Sequence, residues 1–180
     1  MSLGVRGKLL CVSLLLVVAG LGAAERFLLP RLERDEIATM RRALERLALA
    51  AGEALVVAGP GADPEALARR LTRDTGVRFT FIGTDGRVLG DGDVAPRDLA
   101  DVESHATRPE VIEALRGRTG SATRRSATVG ELFLYVAVPP RGSPPVLVRA
   151  ALPLVETNRV LGALRSTILA VAGIGLLAAA

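Results

Sequence analysis

Nucleophilic and acid/base chemistry need a base held near a nucleophile and a pocket to receive the substrate, and few residues of this chain meet that need. His105 is the single histidine and Cys11 the single cysteine, and Cys11 falls inside an uncharged apolar run, residues 9–24. No Gly-x-Ser-x-Gly turn occurs. His105 has no companions at metal-ligand spacing, so a hydrogen-bonded histidine near a helix start is the expected role. Asp91, Asp93, Asp98, Asp101 and Glu103 form an acidic run that fits no EF-hand spacing and reads as a solvated loop. No catalytic residue, metal or cofactor is expected.

The arginines carry more promise, because a guanidinium holds a carboxylate or phosphate through paired donors. Arg108, Arg124, Arg125 and Arg149 lie outside the apolar ends. Strand alternation sends Arg124 and Arg125 to opposite faces, so one can enter a pocket while the other meets solvent. Tyr135, the only tyrosine, sits in the most apolar run, where its hydroxyl can reach a ligand or a buried partner.

The elements that must position these residues are legible from periodicity. After Pro30, Ile37, Met40, Leu44, Leu47, Ala51 and Leu55 recur three or four apart, a helical stripe suited to packing on a sheet or to a dimer seam. Gly59-Pro60-Gly61 stops it, and Asp63 with Pro64 caps a second helix that Thr75-Gly76 ends. Residues 77–82 alternate as a strand, and Asp85-Gly86 predicts a type I′ hairpin. The return strand starts at Val88-Leu89, and 94–103 reads as irregular. A short helix follows Pro109 and closes at Gly117, with Val111, Ile112 and Leu115 toward a core and Glu110, Glu113 and Arg116 toward water or a partner. Three strands come next, at 121–128, 132–138 and 146–152. The second is the most apolar and is expected at the centre of the sheet, bounded by Pro139-Pro140. A helix at 155–165 leads into a second uncharged run, 166–180.

The two apolar runs are membrane candidates. Arg6 and Lys8 ahead of the first mark a cytoplasmic flank, placing the middle of the chain outside the membrane. The competing reading of the first run is a cleaved signal peptide, with Gly22, Ala23 and Ala24 at the cleavage site. The expected layout is an N-terminal tail at 1–8, a first transmembrane helix at 9–29, an extracytoplasmic domain at 30–165 and the start of a second span at 166–180, the front part of a longer protein. Of the formal net charge of +4, Arg6 and Lys8 carry two, and no block of like charge elsewhere resembles a nucleic-acid arm. With its one cysteine in an apolar run, the middle domain has no disulfide to hold it.

The fragments Asp85-Gly86-Arg87-Val88-Leu89-Gly90-Asp91, His105-Ala-Thr-Arg-Pro-Glu-Val111, Arg124-Arg-Ser-Ala-Thr128, Tyr135-Val-Ala-Val-Pro139 and Val148-Arg-Ala-Ala-Leu-Pro-Leu154, in that order and spacing, resemble the extracytoplasmic PAS-like, single Cache-type sensor region of bacterial membrane sensor histidine kinases of the PhoR-like group. Asp91-Gly92 departs from that pattern, in which a serine follows the aspartate. The resemblance implies an α+β fold, a five-stranded antiparallel PAS/Cache-like sheet with flanking helices between two transmembrane helices. It also implies a site between the sheet and the crossover segment, for which His105, Arg108, Arg124, Ser126, Tyr135 and Arg149 are the candidate ligand contacts.

The function so implied is the signal-sensing input of a two-component system in the bacterial inner membrane, with the kinase core beyond Ala180. A homodimer through 32–55 and the spans, the lipid bilayer, and a small ligand or envelope protein are the implied partners; no nucleic acid is. Ligand binding would shift the exit helix and pass the shift inward. The alternatives are a membrane-anchored interaction module of the cell envelope, or the input domain of a chemoreceptor or cyclic-dinucleotide enzyme.

Overall fold

The computed structural model describes residues 5–126 and 130–154, with 166, 167 and 170. The chain divides into two compact units, Met1–Ile37 with Val155–Ala180, and Ala38–Leu154. The first unit holds α1 (Val5–Ala23), a π-helical turn (Ala24–Leu28) that carries Glu25 and Arg26, and the beginning of α2 (Leu29–Ala58). Among the described residues no helix is long and apolar enough to cross a membrane. The expected exit helix at 155–165 lies outside the described residues, as does the second apolar run apart from Ser166, Thr167 and Ala170.

The second unit is α+β. Its strands are β1 (Arg78–Gly83), β2 (Val88–Asp91), β3 (Gly120–Arg125), β4 (Leu132–Arg141) and β5 (Val146–Pro153), all paired antiparallel in the order β2-β1-β5-β4-β3. The centre is therefore β5 and not the more apolar β4. Both are buried along most of their length, so composition alone does not rank them. β4 also continues through Pro139 and Pro140, where the register with β5 slips between Val138 and Arg141. A bulge tolerates residues that lack an N–H donor.

The β1–β2 hairpin differs from a type I′ turn. Of its loop residues only Gly86 has a positive φ, 84°, and its N–H donates to the Gly83 carbonyl at 2.9 Å. That is the pattern of a three-residue loop with glycine in the left-handed position, and a separate register slip lies further along the hairpin, between Phe81 and Ile82. The irregular segment contains one 3-10 turn, Pro96–Asp101. The strand expected to reach 128 ends at Arg125, and residues 127–129 lie outside the described residues.

Strand alternation divides the sheet into two faces. Phe79, Phe81, Leu134, Val136, Val138, Val148 and Ala150 line one face, and all are buried. On α2, Leu44, Ala48, Ala51 and Gly52 are buried, and a Cβ on Gly52 would lie 3.5 Å from Val148 Cγ2, so part of the predicted stripe packs on its own sheet. Helix α3 (Pro64–Thr75) joins it beside β1 and β2; Asp63 caps this helix by accepting from the Glu65 and Ala66 N–H groups at 2.9 and 3.2 Å. The opposite face receives α4 (Pro109–Leu115), whose Val111 and Ala114 pack with Ile82, Ala137 and Leu147.

Candidate functional site

The face beneath α4 changes character along the strands. One row of cross-strand partners runs Asp91, Thr80, Arg149, Ala137, Gly120, from β2 to β3. The next row on the same face runs Arg78, Ala151, Tyr135, Ala122. Apolar packing under α4 thus gives way to a band of buried charge, and beyond it to the aromatic pair Phe133 and Tyr135, with ring centroids 5.9 Å apart.

The charged band is closely connected. Arg149, on the central strand and only 3% exposed, donates from Nη2 to Thr80 Oγ1 at 3.0 Å, and Thr80 donates in turn to Asp91 Oδ2 at 2.7 Å. Asp91 Oδ1 also accepts from Arg78 Nε and from the Asp93 N–H, both at 2.9 Å. From above, α4 delivers Glu110, which is 0% exposed. Its Oε1 lies 3.2 Å from Arg124 Nη2 and 3.7 Å from Arg149 Nη1. The Arg124 guanidinium carbon stands 3.9 Å from the centre of the Tyr135 ring and that of Arg149 5.2 Å from it, a cation-π arrangement.

Burial and charge act against each other here. Desolvation pulls the Arg149 guanidinium down to about 10, opposed by the Glu110 and Asp91 carboxylates; it still carries its charge at neutral pH. His105 is 7% exposed, its Nδ1 2.9 Å from the Glu103 carbonyl and its N–H donating to the Gly86 carbonyl at 2.8 Å. Burial first, and then the nearby Arg149 charge, lower its pKa to about 4, so the ring is neutral and donates from Nδ1.

Arg124, Tyr135 and Arg149 therefore converge, and Arg125 is exposed as alternation requires, donating to the Gly130 carbonyl at 2.9 Å. The remaining candidates stand apart from that cluster. Arg108 caps the start of α4 with its backbone, its carbonyl accepting from the Val111 and Ile112 N–H groups, while its guanidinium lies 3.9 Å from the exposed Glu103. Buried Ser126 follows β3, its N–H donating to the Glu131 carbonyl at 2.7 Å.

Glu110 and Asp91 correct the sequence reading. Neither faces water: Glu110 is the first-turn residue that α4 turns onto the sheet, and Asp91 ends β2 opposite Thr80. The three-residue loop alone would pair 80 with 90, and only the slip between Phe81 and Ile82 sets Asp91 opposite Thr80, which nothing local in the sequence signals. Nothing local distinguishes Glu110 from Glu113.

Among the described residues, three buried side-chain nitrogen or oxygen atoms have no hydrogen-bond partner: Glu110 Oε2, Arg124 Nε and Arg149 Nε. All three belong to this cluster, which makes it the chemically unsatisfied point of the domain. The cluster can hold a ligand that offers acceptors to two guanidinium groups and an apolar flank to Tyr135. No group of histidine, cysteine, aspartate and glutamate suited to a metal ion occurs among the described residues. A separate cavity of about 220 Å³, lined mainly by Leu55, Val56, Pro60, Pro64, Leu89 and Pro144, includes none of these residues.

No family model matches the chain, and no curated protein matches it. Its fold is similar to that of a solved structure described as an extracellular ligand binding receptor from Desulfohalobium retbaense DSM5692. The TM-score is 0.52 at 15% sequence identity, with 79% of this chain and 27% of that chain covered. The chain thus spans about a quarter of that receptor's length, and the likeness is one of fold.

Proposed function

We propose that the chain is the extracytoplasmic sensing input of a membrane signal transducer, a two-component sensor histidine kinase whose catalytic core lies outside these residues. The observation that carries this reading is the convergence of Arg124, Arg149, Glu110 and Tyr135 under α4, with three of their buried polar atoms unsatisfied. A purely structural core gains nothing from such atoms, whereas a ligand site uses them. The similar fold of an extracellular ligand binding receptor supports the same reading.

In this reading the uncharged run after Arg6 and Lys8 and the run at 166–180 anchor the domain in the inner membrane. Two copies associate through 32–55 and the anchors. Arg149 lies on β5, the strand from which the chain continues toward 166–180, so occupancy of the site biases the segment that leads to the membrane.

Phosphatase and fluorescent-protein fusions after Leu154 report the side of the membrane. An active phosphatase with a dark fluorescent protein is expected, and the converse pattern sinks the extracytoplasmic placement. Joined to the cytoplasmic part of a sensor kinase, residues 1–180 should confer a ligand-dependent output that Arg124→Ala abolishes. A captured envelope protein with no small molecule shifting the unfolding temperature would favour the membrane-anchored interaction module instead.

A further inference from the structure

We propose that the outer edge of β3 is a docking edge, and that its occupant is an extended segment of a partner protein, which adds to the sheet as a further strand and sets an acidic side chain opposite Arg125. The proposal goes beyond the sensing reading and makes no use of the cluster under α4.

Hydrogen-bond parity is the first argument. Along an antiparallel strand, successive residues turn their N–H and C=O groups alternately to the neighbour on one side and to the other side. The Leu154 N–H donates to the Leu132 carbonyl at 2.8 Å, and the Ser126 N–H donates to the Glu131 carbonyl at 2.7 Å. Even-numbered residues of β4 therefore serve β5, and odd-numbered ones serve β3. On β3 this commits Gly120, Ala122 and Arg124 to β4 and turns the N–H and C=O groups of Ser121, Thr123 and Arg125 outward. All three residues are exposed, and none of those groups has a backbone partner among the described residues.

The edge is also unguarded. Sheets blunt their edges with short strands, proline, bulges or a covering element, because an open row of backbone donors and acceptors recruits another strand. At the other end of this sheet β2 is only 4 residues long, and α3 and the 3-10 turn pack against it. β3 has no proline, and its register with β4 runs unbroken from Gly120 to Arg125. Such an edge is what strand addition uses for recognition.

Charge selects the segment. Ser121 and Thr123 are small and neutral and ask only for an extended backbone. Near the start of the strand the charges are matched: Arg116 and Arg118 share Glu113, and Glu45 accepts from the Thr119 hydroxyl at 2.7 Å. Arg125 donates to the Gly130 carbonyl and pairs with no carboxylate among the described residues. Glu131, across from Ser126, belongs to the opposite face of the sheet by alternation. Arg125 is thus the uncompensated charge of the edge, and a side chain directly opposite it on an added strand lies within reach. β3 itself holds no acidic residue, so a second copy paired edge to edge does not supply one.

The test uses the full 180-residue chain in lipid nanodiscs and a short fluorescein-labelled peptide of alternating threonine and valine that carries one glutamate. Fluorescence anisotropy is expected to show saturable binding, roughly tenfold tighter than for the same peptide with lysine in place of glutamate, a preference that salt weakens. A copy of the glutamate peptide with methylated backbone nitrogens should not bind, and hydrogen exchange at 121, 123 and 125 should slow only with the unmethylated one. Thr123→Pro removes an outward N–H where an edge strand admits proline, so it should leave the unfolding temperature near that of wild type and abolish binding. Should Thr123→Pro fail to fold, Arg125→Glu, an exposed substitution, is expected to reverse the preference toward the lysine peptide. Absence of binding by wild type, equal binding of the methylated peptide, binding that survives Thr123→Pro, or a preference that Arg125→Glu leaves unchanged overturns the proposal. Self-association that Thr123→Pro removes, without peptide binding, assigns the edge to a second copy and overturns it as well.

Discussion

Glu110 rests on Gly120: a Cβ at position 120 would overlap the Glu110 carbonyl group, so α4 reaches the sheet only because β3 has no side chain there. The same close approach brings the Glu110 carboxylate within 3.2 Å of Arg124 and 3.7 Å of Arg149. Gly120→Ala is expected to destabilise the domain by about 1–3 kcal/mol through overpacking, measured by urea unfolding. The sign is diagnostic, because glycine within a strand is intrinsically the weaker residue. A neutral or stabilising result would show that α4 does not depend on that contact.

Asp91 accepts from Arg78, Thr80 and the Asp93 N–H while buried, so Asp91→Asn strips a charge from beside two arginines. The expected cost is about 3–5 kcal/mol, as for breaking a buried ion pair. Arg108→Ala, whose partner Glu103 is exposed at 3.9 Å, should stay within about 0.5 kcal/mol of wild type. Comparable losses from the two substitutions in chemical denaturation would contradict the assignment of the buried network.

His105 titrates at about 4 in the folded chain, against an ordinary value of 6.5. The unfolded state therefore takes up a proton first as pH falls, and the stability that comes from the neutral ring is present above pH 6.5 and lost progressively toward pH 4. The loss is on the order of 1–2 kcal/mol after allowing for solvent screening. His105→Asn retains a donor toward the Glu103 carbonyl but has no titrating ring. Its stability curve should be flatter than the wild type's between pH 6.5 and 4. Parallel curves would remove His105 from the acid response.

Tyr135 lies beneath the Arg124 guanidinium at 3.9 Å and stacks with Phe133. Tyr135→Phe keeps the ring and is expected within about 0.5 kcal/mol of wild type, whereas Tyr135→Leu should lose about 1–2 kcal/mol of ring interactions. An Arg124→Met partner in a double-mutant cycle separates the cation-π share. No coupling between positions 124 and 135 would show that the two merely adjoin.

Residues 77–82, 132–138 and 146–152, the capped helix after Asp63 and the short helix after Pro109 were legible from the sequence, because alternation, capping residues and prolines act locally. Arg124 and Arg149 were legible too, since a guanidinium in an alternating strand has one face or the other to occupy. What local signals could not supply was the strand order. That order puts β5 at the centre, and it makes Asp91, Thr80, Arg149, Ala137 and Gly120 one row although they lie up to 69 residues apart along the paired strands.

By itself the sequence determined the elements, the uncharged ends and the absence of familiar catalytic or metal-binding patterns, because each depends on neighbours a few residues away. The tertiary structure alone decided that Glu110 is buried while Glu113, one turn later, carries the surface pairs with Arg116 and Arg118. The physical reason is the row on the sheet. Gly120 lets α4 descend, and Arg149 and Arg124 supply the charges that make a fully desolvated carboxylate tolerable. Those conditions arise only when β3, β5 and α4 meet.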